Sequence, residues 1–530
     1  MNRGLSRFAT YENRWYALIF IALGLAIVII DNTILNVSIP YMLRDLDTTL
    51  PALEWAISGY SLTMATILIT VGRVGDIFGR KRLFVIGMVI FATGSLMGSL
   101  SRHVTLLIVG RAIIQAIGAA TVLTSALALI AAGFQGRERT IAFGIWGAVA
   151  GSSATIGPLL GGYLTAYYSW RWSFRINIFI ALAAIIGSIL IRTSRSEGHK
   201  EFDWPGTAFS AAGLFCLVFG FIEGRKYGWL RPNETFTLFG ASWPLGQVSV
   251  IPFFFLAALI FLTLFVRTEA RLERRGGAPL FRLSMFRSRG FSLGMATLLI
   301  LAFGQFGIFF VMPIYLENVL GLNAFHTGLF LLPVSISLFV LGFLSGFLAA
   351  RFSVKWIVVA GMAILAVGAY LIRPLITVDA TVLSMAPGLI TFGIGFGLSG
   401  SQMNNVILSS APVEVAGEAS AGSITMRQVG ASIGVAVIGA VLATTLTTNV
   451  SRNIEESKVI PPEAQGTIVS QLSNVDVESG QGAQLEMSLP PAVAGAVKKA
   501  VDRALVSSAQ ATTLVAFFFI LGGALLTVFL

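Results

Sequence analysis

Asp31, Arg111 and Arg427 each lie inside an apolar run, away from the ends where a long side chain could reach water. Charge is costly in such surroundings, so each is a functional candidate by default. A carboxyl there has the chemistry of a proton carrier. Desolvation and a neighbouring guanidinium pull its proton affinity in opposite directions, so a change in wetting or in the acid–arginine distance loads or releases a proton. Arginine stays charged and can only tune that exchange. The depths of Asp31 and Arg111 agree. Asp31 lies fourteen residues beyond Ala17, or roughly 21 Å along a helix, which leaves about 9 Å of a hydrocarbon core about 30 Å thick. Arg111 lies seven residues beyond Val104 on the returning run, roughly 10 Å from the same edge. Both are expected to face one cavity as a proton-coupling pair; the alternative is a permanent ion pair locking two helices together. Gln115, one turn from Arg111, would orient the pair or touch substrate.

These residues must be positioned by membrane helices. The chain has 530 residues, of which 55% are hydrophobic and only 12% charged, about half the charge of a soluble protein; its mean hydropathy is +0.83. Fourteen spans are expected, at 15–40, 52–71, 83–100, 104–132, 140–166, 173–191, 204–222, 248–266, 291–316, 326–350, 355–376, 381–410, 420–447 and 508–529. With the N-terminus in the cytoplasm, inside segments hold well over twice as many Lys and Arg as the short outer loops, which sets the orientation and returns the C-terminus to the cytoplasm. The net charge of +11 therefore marks inside loops and not a nucleic-acid partner. The expected class is an all-α integral membrane protein of the cell (inner or plasma) membrane. One cysteine, Cys216, and three scattered histidines supply neither a disulfide nor a metal site. No constellation of nucleophile, base or metal ligands points to an enzyme, and no filter-like ring points to a channel.

An internal repeat organises the spans. Shifting "GRVGDIFGRKR" (72–82) by 274 positions brings it onto "GFLAARFSVKW" (346–356), with Gly72 on Gly346 and Asp76 on Ala350. The same shift carries Asp31 to Gln305. Two parallel halves of six spans form a transporter architecture with a cavity between them. The expected divisions are an N-terminal bundle over 1–200, two inserted helices with a basic loop over 201–289, and a C-terminal bundle over 290–447. An outer polar loop over 448–507 and an appended last span over 508–530 complete the chain. Val493, Val497, Val501 and Leu505 recur every fourth residue, so a helix is expected to run into that span. Span 5 carries Gly147 and Gly151, then Gly157 and Gly161, each pair at the spacing that allows close helix approach, and Pro158 invites a kink.

Taken in order, "GRVGDIFGRKR", "LLIVGRAIIQAIGAA" and "GAVAGSSATIGPLLGG" resemble the major facilitator superfamily, and within it the fourteen-span drug:proton antiporter (multidrug efflux) family. "IDNTILNVSIP", "SWRWSFRINI" and "MRQVGASIGVAV" fit that family too. The resemblance implies two pseudo-symmetric six-helix bundles plus two extra helices. It implies a proton-driven antiporter without a cofactor, monomeric, exporting amphiphilic compounds by alternating access; export of one physiological solute (a lipid, siderophore, amino acid or metabolite) is the alternative. It assigns Gly72, Asp76, Gly79 and Arg80 to a cytoplasmic latch, with Asp76 against the start of span 13 near Ser420 and the basic residues reaching acids such as Glu138. Gly147, Gly151, Gly157, Pro158, Gly161 and Gly162 become the exporter-type packing motif. Gln115, Trp146, Gln305, Phe309 and Asn405 are expected to border the substrate cavity. Arg175 departs from the family pattern, which is usually apolar there.

Overall fold

A computed structural model describes residues 13–35, 38–48, 50–191, 202–238, 241–245, 247–457, 459–461, 465–466, 468–469 and 490–530. Fourteen long helices occupy them: α1 (Arg14–Ile34), α2 (Leu50–Phe78), α3 (Arg80–Leu100), α4 (Val104–Gly133), α5 (Gly136–Tyr167), α6 (Arg171–Gly187), α7 (Trp204–Tyr227), α8 (Ile251–Arg274), α9 (Arg289–Asn318), α10 (Leu332–Ala349), α11 (Val354–Leu375), α12 (Val382–Ser409), α13 (Ala416–Glu455) and α14 (Pro491–Thr527). Among the described residues, thirteen of these are long and apolar enough to cross a membrane. Helix α5 has 32 residues, of which not all side chains are described. A hairpin of two-residue strands, Thr237–Leu238 with Ala241–Ser242, decorates the α7–α8 connection.

Local chemistry sets the boundaries. Gly79 separates α2 from α3 at φ 102°, a conformation that L side chains rarely tolerate. Asp203 caps α7 by accepting the Gly206 N–H at 2.9 Å, and a Thr381–Ser384 capping box opens α12. The first span is shorter than expected: α1 stops at Ile34, and a short helix, Ile39–Asp45, follows with Pro40 in its first turn.

Helices α1 to α6 pack on one another, as do α9 to α14. The last helix is not an appendage, because α14 packs against α9, α11 and α13 and supplies the sixth member of the second bundle. Spans 9–13 alone hold only five helices, so the fold needs α14 to close that half. Nor is 448–507 one polar loop. Helix α13 continues to Glu455 and α14 begins at Pro491; Val450, Ile454, Val497 and Leu505 bury a small apolar cluster between the two extensions. The stretch "ESGQGAQ" (478–484), whose composition is that of a turn, lies outside the described residues. The α7–α8 pair leans on α2 and α13 across the seam between the halves. Large apolar side chains such as Leu259 on α8 and Phe339 and Phe343 on α10 remain exposed on the outside, as a bilayer-facing surface requires.

Candidate functional site

Asp31 and Arg111 meet. Both are fully buried, and Arg111 Nη1 donates to Asp31 Oδ2 at 2.8 Å while Nη2 reaches the Asp31 main-chain oxygen at 3.3 Å. Gln115 Nε2 donates to Asp31 Oδ1 at 2.9 Å and lies 2.7 Å from Ser95 Oγ. Asn177 Nδ2 donates to the same Oδ1 at 2.5 Å. The Tyr60 ring lies 4.7 Å beneath the guanidinium, and its buried hydroxyl has no partner among the described residues. Five helices thus contribute to one cluster around Asp31: α1, α4 and α6 directly, α2 and α3 through Tyr60 on Arg111 and Ser95 on Gln115. Arg111 and Gln115 both fall within a π-helical stretch of α4, Val109–Gln115, a wide-turn geometry often found at functional sites.

This arrangement corrects one expectation. The pair does not open onto a cavity between the halves. Asp31 points from α1 toward α4 and α6, into the N-terminal bundle, so Gln115 is part of its hydrogen-bond shell. Asn177, Ser95 and Tyr60 were missed by sequence reasoning. The available signal was a polar residue inside each otherwise apolar span, with Asn177 already within the quoted "SWRWSFRINI". At Gln305, the repeat's counterpart of Asp31, the side chain is buried and its Oε1 has no partner among the described residues.

Helix α5 links this site to the other half. A side chain at Gly157 or Gly161 would collide with Thr33 or the Ile34 carbonyl on α1, two and three residues beyond Asp31. A side chain at Gly147 or Gly151 would collide with Ser401 of α12 or Leu338 of α10. One helix therefore presents small residues to α1 with its C-terminal half and to the second bundle with its N-terminal half. Gly162 is half-buried; α5 continues through position 158, and the Pro158 side chain lies outside those described.

At the face carrying the basic loops the halves are fastened together. Asp76 accepts the Gly417 and Glu418 N–H groups at 3.1 Å each, at the first turn of α13, where the helix dipole favours negative charge. Arg80 brackets Asp76 with Nε at 3.1 Å and Nη2 at 2.9 Å, and Nη2 continues to the Val413 carbonyl at 2.6 Å. Arg73 pairs with Glu418 at 3.0 Å, a partner that the sequence reading passed over. Gly72 allows the approach, since a Cβ there would stand 2.6 Å from the Gly417 carbonyl. Glu138 is not a partner of these residues; it pairs with Arg14. At the repeat's second copy, Thr140 Oγ1 donates to the Gly346 carbonyl at 3.3 Å and Gln402 Nε2 donates to the Thr140 carbonyl at 3.3 Å. That fastening is uncharged, as the Asp76-to-Ala350 replacement requires.

Between the halves lies a cavity of about 10 Å³, room for a water molecule. Trp146, Leu338, Phe396, Ser401, Asn404 and Arg427 line it. Of the residues expected there, Trp146 is present. Asn405 is not; it turns its amide to Gln402 at 3.3 Å, and its neighbour Asn404 faces the cavity because successive helical residues point about 100° apart. Phe309 packs edge-on to Phe392 at 6.4 Å and, like Gln305, lies elsewhere. Arg175 donates to Ser99 at 3.0 Å and sits 5.2 Å over the Trp172 ring.

The sequence profile of the Major Facilitator Superfamily matches residues 21–435. The chain belongs to the major facilitator superfamily. It is 32% identical over 427 residues, covering 80% of this chain and 75% of the relative, to the tetracenomycin C resistance and export protein of Streptomyces glaucescens. It is 30% identical to the multidrug resistance protein Stp of Mycobacterium tuberculosis, covering 87% of this chain and 82% of that one. Among solved structures, a human organic anion transporter superposes with a TM-score of 0.57 at 12% identity, covering 96% of this chain and 99% of the other. At that identity the likeness concerns the fold. The family match and the relatives identify a multi-pass membrane transporter of the drug-efflux branch, not an enzyme.

Proposed function

We propose that this transporter is a proton-driven exporter of amphiphilic drug-like compounds, working by alternating access in the cell membrane with both termini in the cytoplasm and no cofactor. The observation that carries the reading is the buried Asp31–Arg111 pair, set one turn from the α1–α5 contact. Protonation of Asp31 removes the negative half of the pair. Arg111, Gln115 and Asn177, which all donate to Asp31 or its backbone, then lose their common charged acceptor. The strain is relieved by movement of α1, and α5 passes that movement to α10 and α12. The Asp76–α13 contact holds the cytoplasmic side shut until the halves rotate. The names of the relatives support drug export in particular: one is called a tetracenomycin C resistance and export protein, and another a multidrug resistance protein.

The test is proton flux from liposomes holding the purified chain, against a panel of unrelated amphiphilic compounds and of single solutes such as amino acids and siderophores. Compound-dependent proton release with many of the amphiphiles supports the reading. A response to one solute alone turns it into a dedicated exporter, and compound movement without proton flux removes the coupling.

A further inference from the structure

Arg427 differs from the other arginines at the heart of the molecule. Arg73, Arg80 and Arg111 each hold a carboxylate, on Glu418, Asp76 and Asp31 respectively. Arg427 projects from α13 into the cavity between the halves, and among the described residues its guanidinium has neither a carboxylate nor a hydrogen-bond acceptor. An unpaired cation within a membrane domain is costly and marks a substrate or ion pathway. A second orphan lines the same cavity: the Trp146 side chain is 4% exposed and its Nε1–H has no acceptor. The other polar groups on the wall are already engaged. Ser401 Oγ donates to the Gly397 carbonyl at 3.1 Å, and Asn404 Oδ1 accepts from Ser423 at 2.7 Å. Leu298, Leu301, Leu338 and Phe396 supply the remaining surface, and no acid contributes to it.

A chamber that offers donors without acceptors, a fixed positive charge and apolar walls has a chemical complement. We infer that the central cavity selects aromatic or amphiphilic compounds bearing an anionic group, with Arg427 receiving the anion, the Trp146 N–H as a second donor, and Phe396 and the leucines taking the apolar body. This rests on the exporter reading above and names its substrate class. Arginine suits the task because its planar fork can grip a carboxylate or sulfonate through two parallel hydrogen bonds, and the bound anion gives the guanidinium the partner that the fold withholds. Cationic amphiphiles are repelled at the same spot. At about 10 Å³ the cavity is in a closed state, and rotation of the halves must widen it to admit a ligand.

The experiment compares two probes of one shape, 1-pyrenesulfonate and the neutral 1-pyrenemethanol, with the purified full-length chain in detergent, binding being read by pyrene fluorescence anisotropy. Ethidium export by the same protein in liposomes under a proton gradient runs alongside. The wild type is expected to bind the sulfonate roughly tenfold or more tighter than the alcohol, the scale of one hydrogen-bonded charge. Arg427→Gln should erase most of that preference, weakening the sulfonate far more than the alcohol, and Arg427→Lys should keep part of it. Trp146→Phe, which retains an aromatic ring and lacks the N–H, should weaken the sulfonate alone and serves if the arginine variants do not fold. Equal affinity of the wild type for both probes, or an unaltered preference in Arg427→Gln and Trp146→Phe, overturns the inference. Ethidium export without a sulfonate preference sinks the substrate class and spares the exporter; no binding or export of any probe removes both.

Discussion

At the scale of single residues, the Asp31 carboxylate collects charge-assisted or amide hydrogen bonds from Arg111, Gln115 and Asn177. A pair that served only as a lock and a pair that carries protons differ in one double substitution. Asp31→Asn leaves Arg111 buried without its counter-charge, an imbalance of about 3–5 kcal/mol, so thermal unfolding should show a clear loss of stability. Adding Arg111→Gln removes the stranded charge and should recover most of that loss. Neither variant should drive export from a proton gradient. If the double variant exports like the wild type, the pair is structural and the proton carrier lies elsewhere. On the opposite face Asp45 of the short helix Ile39–Asp45 accepts from Arg171 and from the Trp170 indole, and the Arg171 hydrogen bond followed by that of Trp170 holds its carboxyl below the ordinary range. A depressed folded-state value means that this contribution is full above the unfolded value of about 3.9 and is lost as pH falls through the lower folded value. Acid unfolding of Asp45→Asn should therefore be shallower than that of the wild type below about pH 4, and the two curves should run parallel at neutral pH. Asp31, Arg111 and Gln115 were legible in the sequence because each interrupts an apolar run. Asn177 and Ser95 were not singled out, since an uncharged polar residue in a span has many uses.

At the scale of elements, α2 and α13 form a charged clasp and α5 and α10 an uncharged one, related by the internal repeat. The asymmetry makes the first clasp the adjustable one. Gly417 and Glu418 donate to different Asp76 oxygens, so Asp76→Asn keeps an acceptor for one N–H, sets an amide NH2 against the other, and weakens the interaction with the α13 dipole, each such contribution being about 0.3–1 kcal/mol or more when buried. Spectroscopic distances between labels on α2 and α13 at the basic face should then shift toward the open arrangement, severalfold in population. Identical distance distributions in Asp76→Asn and wild type would remove the clasp as a conformational control. The clasp was readable in outline: the spacing of glycines and charges in "GRVGDIFGRKR" and the degenerate copy at 346–356 foretold where strength and weakness would fall. Asp76 was placed at the start of span 13, where it lies, but the acidic side-chain partner of Arg73 was not read. Glu418 sits in an unremarkable "VAGEAS", and Glu138 faced Arg14 instead, because pairing across 345 positions depends on how the bundles meet. The basic stretch 267–290 is tied down by backbone N–H groups donating to acids: Phe281 to Glu269 at 3.1 Å and Arg282 to Glu418 at 3.0 Å. It thereby joins the α8 end to the clasp.

At the scale of the whole molecule, α14 closes the second bundle. Ile520 and Ala516 are buried, and Phe519 stacks on Phe303 of α9 at 4.1 Å. A chain ending after Glu455 should lose that seal, expose the α9 and α11 faces and run as aggregate on size-exclusion chromatography. A monodisperse, transport-competent product would show that five helices suffice for that half. The sequence by itself determined the membrane class, the fourteen helices and their twofold repeat, because apolar length and periodicity are local properties set by the thickness and chemistry of the bilayer. It also determined that Asp31 and Arg111 lie at one depth, since depth follows from counting along a helix. Only the tertiary structure decided the direction in which each helix turns its faces. That rotation takes Asp31 into its own bundle, brings Asn404 instead of Asn405 to the central cavity, and leaves Arg427 there without a counter-charge. A rotation of about 100° separates neighbouring residues, and it is fixed by the close packing of small residues between helices hundreds of positions apart.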